Sequence, residues 1–171
     1  MTRLLTRFRV ALGFLLGALV LWLARPEWST WTAGVVIASC GELLRIWAAG
    51  HLEKSREVTT SGPYRFTRHP LYMGSTLIGI GVAVAAASLI VAAIVGAYIG
   101  LTLSAARRSE EAHLREKFGD AYDAYVEKRV EPMARRFSVE RALRNREHHT
   151  IAGLVTGFAL LAVKIVSGSR L

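Results

Sequence analysis

Apolar runs long enough to cross a membrane alternate along this chain with compact polar stretches, and that alternation predicts its elements. Residues 1–9 carry Arg3, Arg7 and Arg9, and Val10 to Ala24 follows without a charge. A basic start ahead of an apolar run is also how a cleaved signal peptide begins. Trp22 stands where cleavage after Ala24 would need a small residue, and Arg25-Pro26 follow, so we read an uncleaved first transmembrane helix. Trp31 to Gly50 predicts a second span, close to the ~20 residues a bilayer requires. Within it Glu42 and Arg45 are three apart and share a helical face. Two readings are open for that pair: Arg45 snorkels from near the helix end with Glu42 as its partner, or the face lines a polar pocket.

His51 to Arg68 is too polar and too broken to span. Leu71 to Ala87 predicts the third span, rich in Gly74, Ser75, Gly79 and Gly81, which let helices approach closely in lipid. Ser88 to Ala106 predicts the fourth, and the short polar gap between them predicts a tight hairpin. Arg107 to His149 is the longest polar stretch, with 11 Lys+Arg and 9 Asp+Glu. In it Leu114, Phe118, Ala121, Tyr122 and Tyr125 recur at helical spacing as an amphipathic face. Gly119-Asp120 predicts a break there, with Asp120 capping a second piece. From Met133 to Arg146 five arginines face one glutamate; with Phe137, Val139 and Leu143 this predicts a basic surface helix beside anionic lipid. Thr150 to Val166 predicts a fifth span, its reach extended by snorkelling Lys164.

The expected fold is therefore all-α, a polytopic integral membrane bundle of about five transmembrane helices with a helical hairpin and cytoplasmic amphipathic helices. Residues 1–50 would hold the first two spans, 51–131 a core built on the hairpin, and 132–171 a basic interfacial segment and the last apolar helix. Composition supports this: 52% of the 171 residues are hydrophobic, and they are clustered rather than spread. The formal net charge of +9 changes meaning in this setting, from a nucleic-acid surface to the basic loops of a membrane protein, and no nucleic-acid partner is expected. Putting residues 1–9, 51–69 and 107–149 on one side collects 18 of the 22 Lys+Arg. That side is expected to be cytoplasmic, in a bacterial inner membrane. The single cysteine, Cys40, excludes an intrachain disulfide, and His113, His148 and His149 have no metal-ligand spacing, so no metal site is expected.

Two clusters carry chemistry. The first is Gly62-Pro63-Tyr64 with Arg68-His69-Pro70-Leu71-Tyr72-Met73-Gly74; the second is Arg107-Arg108-Ser109-Glu110-Glu111 with Phe118-Gly119, Tyr122 and Tyr125. They bracket the third and fourth spans, so a hairpin brings them together at its open end. Pro70 suits the first turn of a helix, where its missing N–H would be unpaired in any case. The combined site offers cations, paired carboxylates and tyrosine faces. Those suit a ligand with an anionic group, a ring and a positive centre.

The order and spacing of these motifs resemble the isoprenylcysteine carboxyl methyltransferase family, to which the integral-membrane phospholipid methyltransferases are similar. The resemblance covers His51 to Val130. It implies a multispanning helical enzyme that uses S-adenosylmethionine. His69, Pro70, Leu71 and Tyr72 would wrap that cofactor at the start of the third span, with Arg68 beside them and Tyr64 contributing from the Gly-Pro-Tyr turn. Val58 and Thr59 would contact its adenosine through backbone, and His51 stands where the family often has glutamine. Glu110 would bind the cofactor from the second cluster, while Glu111 and the pair Arg107 and Arg108 would act at the acceptor, a lipophilic or lipid molecule. Two other functions fit the same layout. One is an intramembrane NADPH-dependent reductase of the sterol type, though the Glu110-Glu111 pair favours methyl transfer; the other is a lipid-binding membrane protein without catalysis.

Overall fold

In a computed structural model, residues 15–168 are described. The basic stretch 1–9 and the start of the expected first span lie outside them. Every regular element among the described residues is helical. Helix α1 covers residues 15–23 of the described part; α2 is Trp28–Ala49, α3 Pro70–Ala86, α4 Leu89–Phe118, α5 Asp120–Val126, α6 Val139–Arg144 and α7 Glu147–Ser167, and a single 3-10 turn, Gly62–Arg65, precedes α3. Helices α2, α4 and α7 are each long and apolar enough to cross a membrane. With its 17 residues, α3 is about 26 Å long, shorter than the other three.

The helix ends follow local sequence. Glu27 and Thr30 form a reciprocal cap at the start of α2. Pro70 opens α3, as its ring favours. The α3–α4 connection is only Ala87 in a left-handed conformation and Ser88, whose hydroxyl caps the N–H of Val91. The predicted tight hairpin is what forms. Gly119, with φ +47°, breaks α4 from α5 and is itself the residue before the first turn of α5. Asp120 therefore stands one position later than expected, inside that turn.

Helix α3 lies against α2 along a seam of small residues. A Cβ placed on Gly41 would be 2.6 Å from the carbonyl oxygen of Gly74, and one on Gly81 would be 2.6 Å from that of Gly34. Backbone meets backbone at both points, which side chains larger than hydrogen would prevent. At the α1–α2 turn the chain closes with Arg25 donating its N–H to the Ala86 carbonyl (2.7 Å). Val20, Ala24, Ala38, Ala85, Ala86, Val91, Phe158 and Leu161 form the apolar core at this end. The Trp31 indole donates to the Phe158 carbonyl (2.9 Å), fixing α7 against α2. Lys164, expected to snorkel, instead donates to the carbonyls of Leu21 (2.7 Å) and Trp22 (3.0 Å) and ties α7 to the end of α1.

Two further expectations change at the opposite end. Arg45 does not rely on Glu42, whose carboxylate is 3.8 Å away. It makes a two-pronged bond to Glu147 at the start of α7 (3.1 and 2.9 Å) and a bond to Ser75 of α3 (2.5 Å). Residues 131–138 are not helical, and the basic segment is largely committed to protein groups. Arg135 pairs with Glu57 and donates to the His51 carbonyl, Arg141 donates to the Gly50 carbonyl, and Arg144 lies 3.6 Å from Glu53. Phe137 packs on Gly50 and the Asn145 amide donates to the carbonyls of Ala49 and Leu52. The carbonyls at the end of α2 and just past it draw these donors, so the segment straps the 50–61 connection.

Candidate functional site

The hairpin brings the two predicted clusters into contact. Tyr72, in the first turn of α3, donates its hydroxyl to Glu110 of α4 (2.5 Å). His69 places Nε2 2.7 Å from a Glu111 oxygen. His69 stands before the first residue of α3, where a side chain commonly caps free N–H groups; its ring turns away to Glu111 instead. The His69 and Tyr72 rings stack at 5.4 Å, 19° from parallel. Arg107, one turn before Glu111 on α4, lies 3.7 Å from the same carboxylate oxygen. Five side chains, from α4 and from the start of α3, thus form one polar face, held by charge-assisted bonds.

A second layer comes from the 3-10 turn and α5. Tyr64 is buried, and its carbonyl accepts the Tyr125 hydroxyl (2.8 Å). Burial raises the phenol of Tyr64 above the usual tyrosine range and pushes that of Tyr125 up to about 12. Both therefore stay protonated at neutral pH. Between turn and helix lies an open cavity of about 220 Å³, lined by Tyr64, Arg68, Tyr125 and Lys128 among others. Tyr122 is 1% exposed, and its hydroxyl has no hydrogen-bond partner among the described residues. The guanidinium of Arg115 lies over its ring at 5.6 Å and is itself bonded to Asp123 (3.0 Å). Lys117 reaches back from α4 to the Ser55 carbonyl (2.7 Å) and fastens this arm to the 51–61 connection.

The remaining expected residues have other surroundings. His51 is buried, with Nδ1 3.2 Å from the Ser61 hydroxyl and its ring against Gly62 and Phe137. Burial, then Arg141 and Arg135, lower its pKa. Thr59 is buried and accepts the Glu53 N–H, while the next residue, Thr60, accepts that of Met133. Val58 is half-buried in the same connection, Pro70 is buried at the start of α3, and Leu71 is half-buried, with its carbonyl bonded by Ser75 and Arg45. Arg68 and Arg108 are exposed, Arg68 on the cavity wall. Sequence reasoning placed Tyr122 and Tyr125 in the second cluster but missed the Tyr125–Tyr64 bond and the cavity wall formed by Val126 and Lys128. It also missed Glu147 as the partner of Arg45.

A family model described as phospholipid methyltransferase matches residues 8–121, well over half the chain. The chain belongs to the phospholipid methyltransferase family. That family lies in the isoprenylcysteine carboxyl methyltransferase-like group of integral-membrane methyltransferases. Two relatives of this family member are similar to it at 32% identity. Over 107 residues, 61% of this chain and 48% of the relative, it matches the nickel-cobalt-cadmium resistance protein NccN of Alcaligenes xylosoxydans xylosoxydans. Over 119 residues, 65% of this chain and 55% of the relative, it matches the cobalt-zinc-cadmium resistance protein CzcN of Cupriavidus metallidurans. The chain spans about half the length of the curated relatives it matches. No solved structure matches it. The matched residues include both arms of the polar face, from His69 to Glu111, and end before Tyr122.

The residues of the face suit S-adenosylmethionine by their chemistry. Glu110 and Glu111 each keep one carboxylate oxygen outside the bonds described, available to an ammonium or to ribose hydroxyls. Arg68 offers a cation to a carboxylate, and the stacked His69 and Tyr72 rings offer an apolar face to a heteroaromatic ring.

Proposed function

We propose that this chain transfers a methyl group from S-adenosylmethionine to a lipophilic acceptor held in the membrane, with its site facing the cytoplasm. The observation that carries the reading is the meeting of His69 and Tyr72 with Glu111 and Glu110 at the open end of the hairpin, in a member of a methyltransferase family. Tyr72, His69, Arg68, Tyr64 and Glu110 would hold the cofactor, with Pro70 and Leu71 setting the turn that presents them. His51, Val58 and Thr59 would act from the strapped connection that leads into the Gly62–Arg65 turn. Glu111, Arg107 and Arg108 would face the acceptor.

When bound, S-adenosylmethionine would supply an electrophilic methyl on a positively charged sulfur, with a neutral thioether as the co-product. The protein's part is alignment and proton handling. Glu111, bonded to His69, would receive the proton released by an amine or hydroxyl acceptor, whereas a carboxylate acceptor releases none. Arg107 would hold an anionic acceptor beside Glu111. An acceptor dissolved in lipid would reach this face sideways past α4, most of whose surface is exposed.

The test is incubation of purified protein with methyl-labelled S-adenosylmethionine and a total membrane-lipid extract, followed by mass spectrometry of labelled species. A labelled lipid that disappears with Glu110→Ala supports the proposal. Saturable NADPH binding without S-adenosylmethionine binding would point to the reductase reading and sink it. The relatives' names refer to metal resistance; if this chain shares that association, the proposed activity would reach it through the methylated membrane component.

A further inference from the structure

Tyr122 and Tyr125 stand one turn apart on α5, their rings 6.3 Å apart, yet their hydroxyls have opposite fates. The Tyr125 hydroxyl is satisfied by the Tyr64 carbonyl. That of Tyr122 is buried and bonds to nothing among the described residues. A buried phenol gains nothing from its hydroxyl unless something accepts or donates a hydrogen bond to it. Phenylalanine would fill the same space without that penalty. Glu111, Arg68, Arg115 and Glu110 are the charged groups whose fields reach the Tyr122 hydroxyl. Three of them belong to the face assigned above to cofactor and acceptor, and the fourth covers the ring.

We propose that the Tyr122 hydroxyl is a ligand-binding group, completing its hydrogen bond with a polar, uncharged or anionic atom of S-adenosylmethionine such as a ribose hydroxyl or the carboxylate. The inference rests on the function proposed above and extends the site to α5, beyond the residues the family model matches. It assigns the clamp formed by Arg115 and Asp123 a positioning role, since Arg115 holds the ring over which it lies.

The experiment compares full-length wild-type protein with Tyr122→Phe and Tyr125→Phe in detergent micelles, reading the ligand-free Tm and the Kd for S-adenosylmethionine by calorimetry. Tyr122→Phe is expected to leave the ligand-free Tm unchanged or raise it while weakening binding about tenfold, the loss of one buried hydrogen bond to a ligand. Tyr125→Phe is expected to lower the ligand-free Tm, because its hydroxyl serves the fold. An unchanged Kd for Tyr122→Phe overturns the inference and leaves the proposed function standing. A fall in its ligand-free Tm also overturns it, because the hydroxyl then serves the fold through water. Wild-type protein that binds no S-adenosylmethionine overturns the proposed function, and this inference with it.

Discussion

Along one flank of α3 the neighbouring helix touches backbone to backbone; along the other, α4 meets it through flexible side chains. On the α2 flank, Gly34, Gly41, Gly74 and Gly81 leave no room for even a methyl group. On the α4 flank the space over Gly79 is filled by Ile99 and Val95, and of all α4 only Val91 is buried. The two flanks carry the two halves of the polar face. His69 and Tyr72 ride on the tight pair, whereas Glu110 and Glu111 ride on an arm held at its base by Ser88 and Val91 and at its far end by Lys117. The first half of the face is thus set by the fold, while the second half is held largely by the bonds of the face itself. Since α4 lines the exposed side, the movable half is also the one an acceptor from the lipid would pass.

Substitutions on the two flanks should have unequal effects. The largest effect is expected for Gly41→Leu or Gly81→Leu, which must force α2 and α3 apart; neither should yield monodisperse protein on size-exclusion chromatography. Next is the buried pair of Arg45 and Glu147. Glu147→Gln leaves Arg45 without its main partner and should cost roughly 3–5 kcal/mol, read as a Tm drop in detergent. In a double-mutant cycle with Arg45→Gln the two losses should fall well short of adding. His69→Ala and Glu110→Ala should each weaken S-adenosylmethionine binding about tenfold, ~1.4 kcal/mol, with little change in insertion or ligand-free Tm. If they unfold the protein, the face is a structural joint and the proposed function loses its support.

A smaller effect is expected from pH. His51 is buried between Arg135 and Arg141, so its neutral form is favoured in the folded chain and its pKa lies below the ordinary 6.5. The stability this neutral ring supports is complete above that value and declines as pH falls below it toward the folded pKa. Wild-type Tm should therefore drop between pH 6.5 and 5 more than that of His51→Gln. The smallest effect is expected for Gly96→Leu on α4, where a Cβ meets no atom within 4 Å. A large loss there would mean that α4 is packed more tightly than its exposure indicates.

Much of the fold was readable because its signals are local. Pro70, the Gly62-Pro63 turn, the Ala87-Ser88 gap and uncharged runs each act on their own neighbours in the chain. The two clusters were legible as a pair only because a hairpin is the simplest way to join two adjacent spans. What escaped was set by pairing between distant elements. Nothing near Arg45 points to a carboxylate 102 residues away, and Glu42 was the obvious candidate at three residues. The arginines of 133–146 read as lipid-facing because the carbonyls they reach, at the end of α2, leave no trace in sequence. Tyr122 and Tyr125 read as one amphipathic face, and only their different partners separate them.

The Arg45–Glu147 pair also sets an order of assembly. As the chain is made, Arg45 enters the bilayer with α2, and Ser75 joins it when α3 arrives. Until α7 follows, its nearby carboxylate is that of Glu42, three residues back on the same helix. The arrival of Glu147 exchanges a loose intrahelical contact for a two-pronged one. A nascent chain halted before residue 147 would therefore hold an under-compensated cation inside the membrane. Helix α7, made after α2 and α3, thus acts as a latch that closes on them.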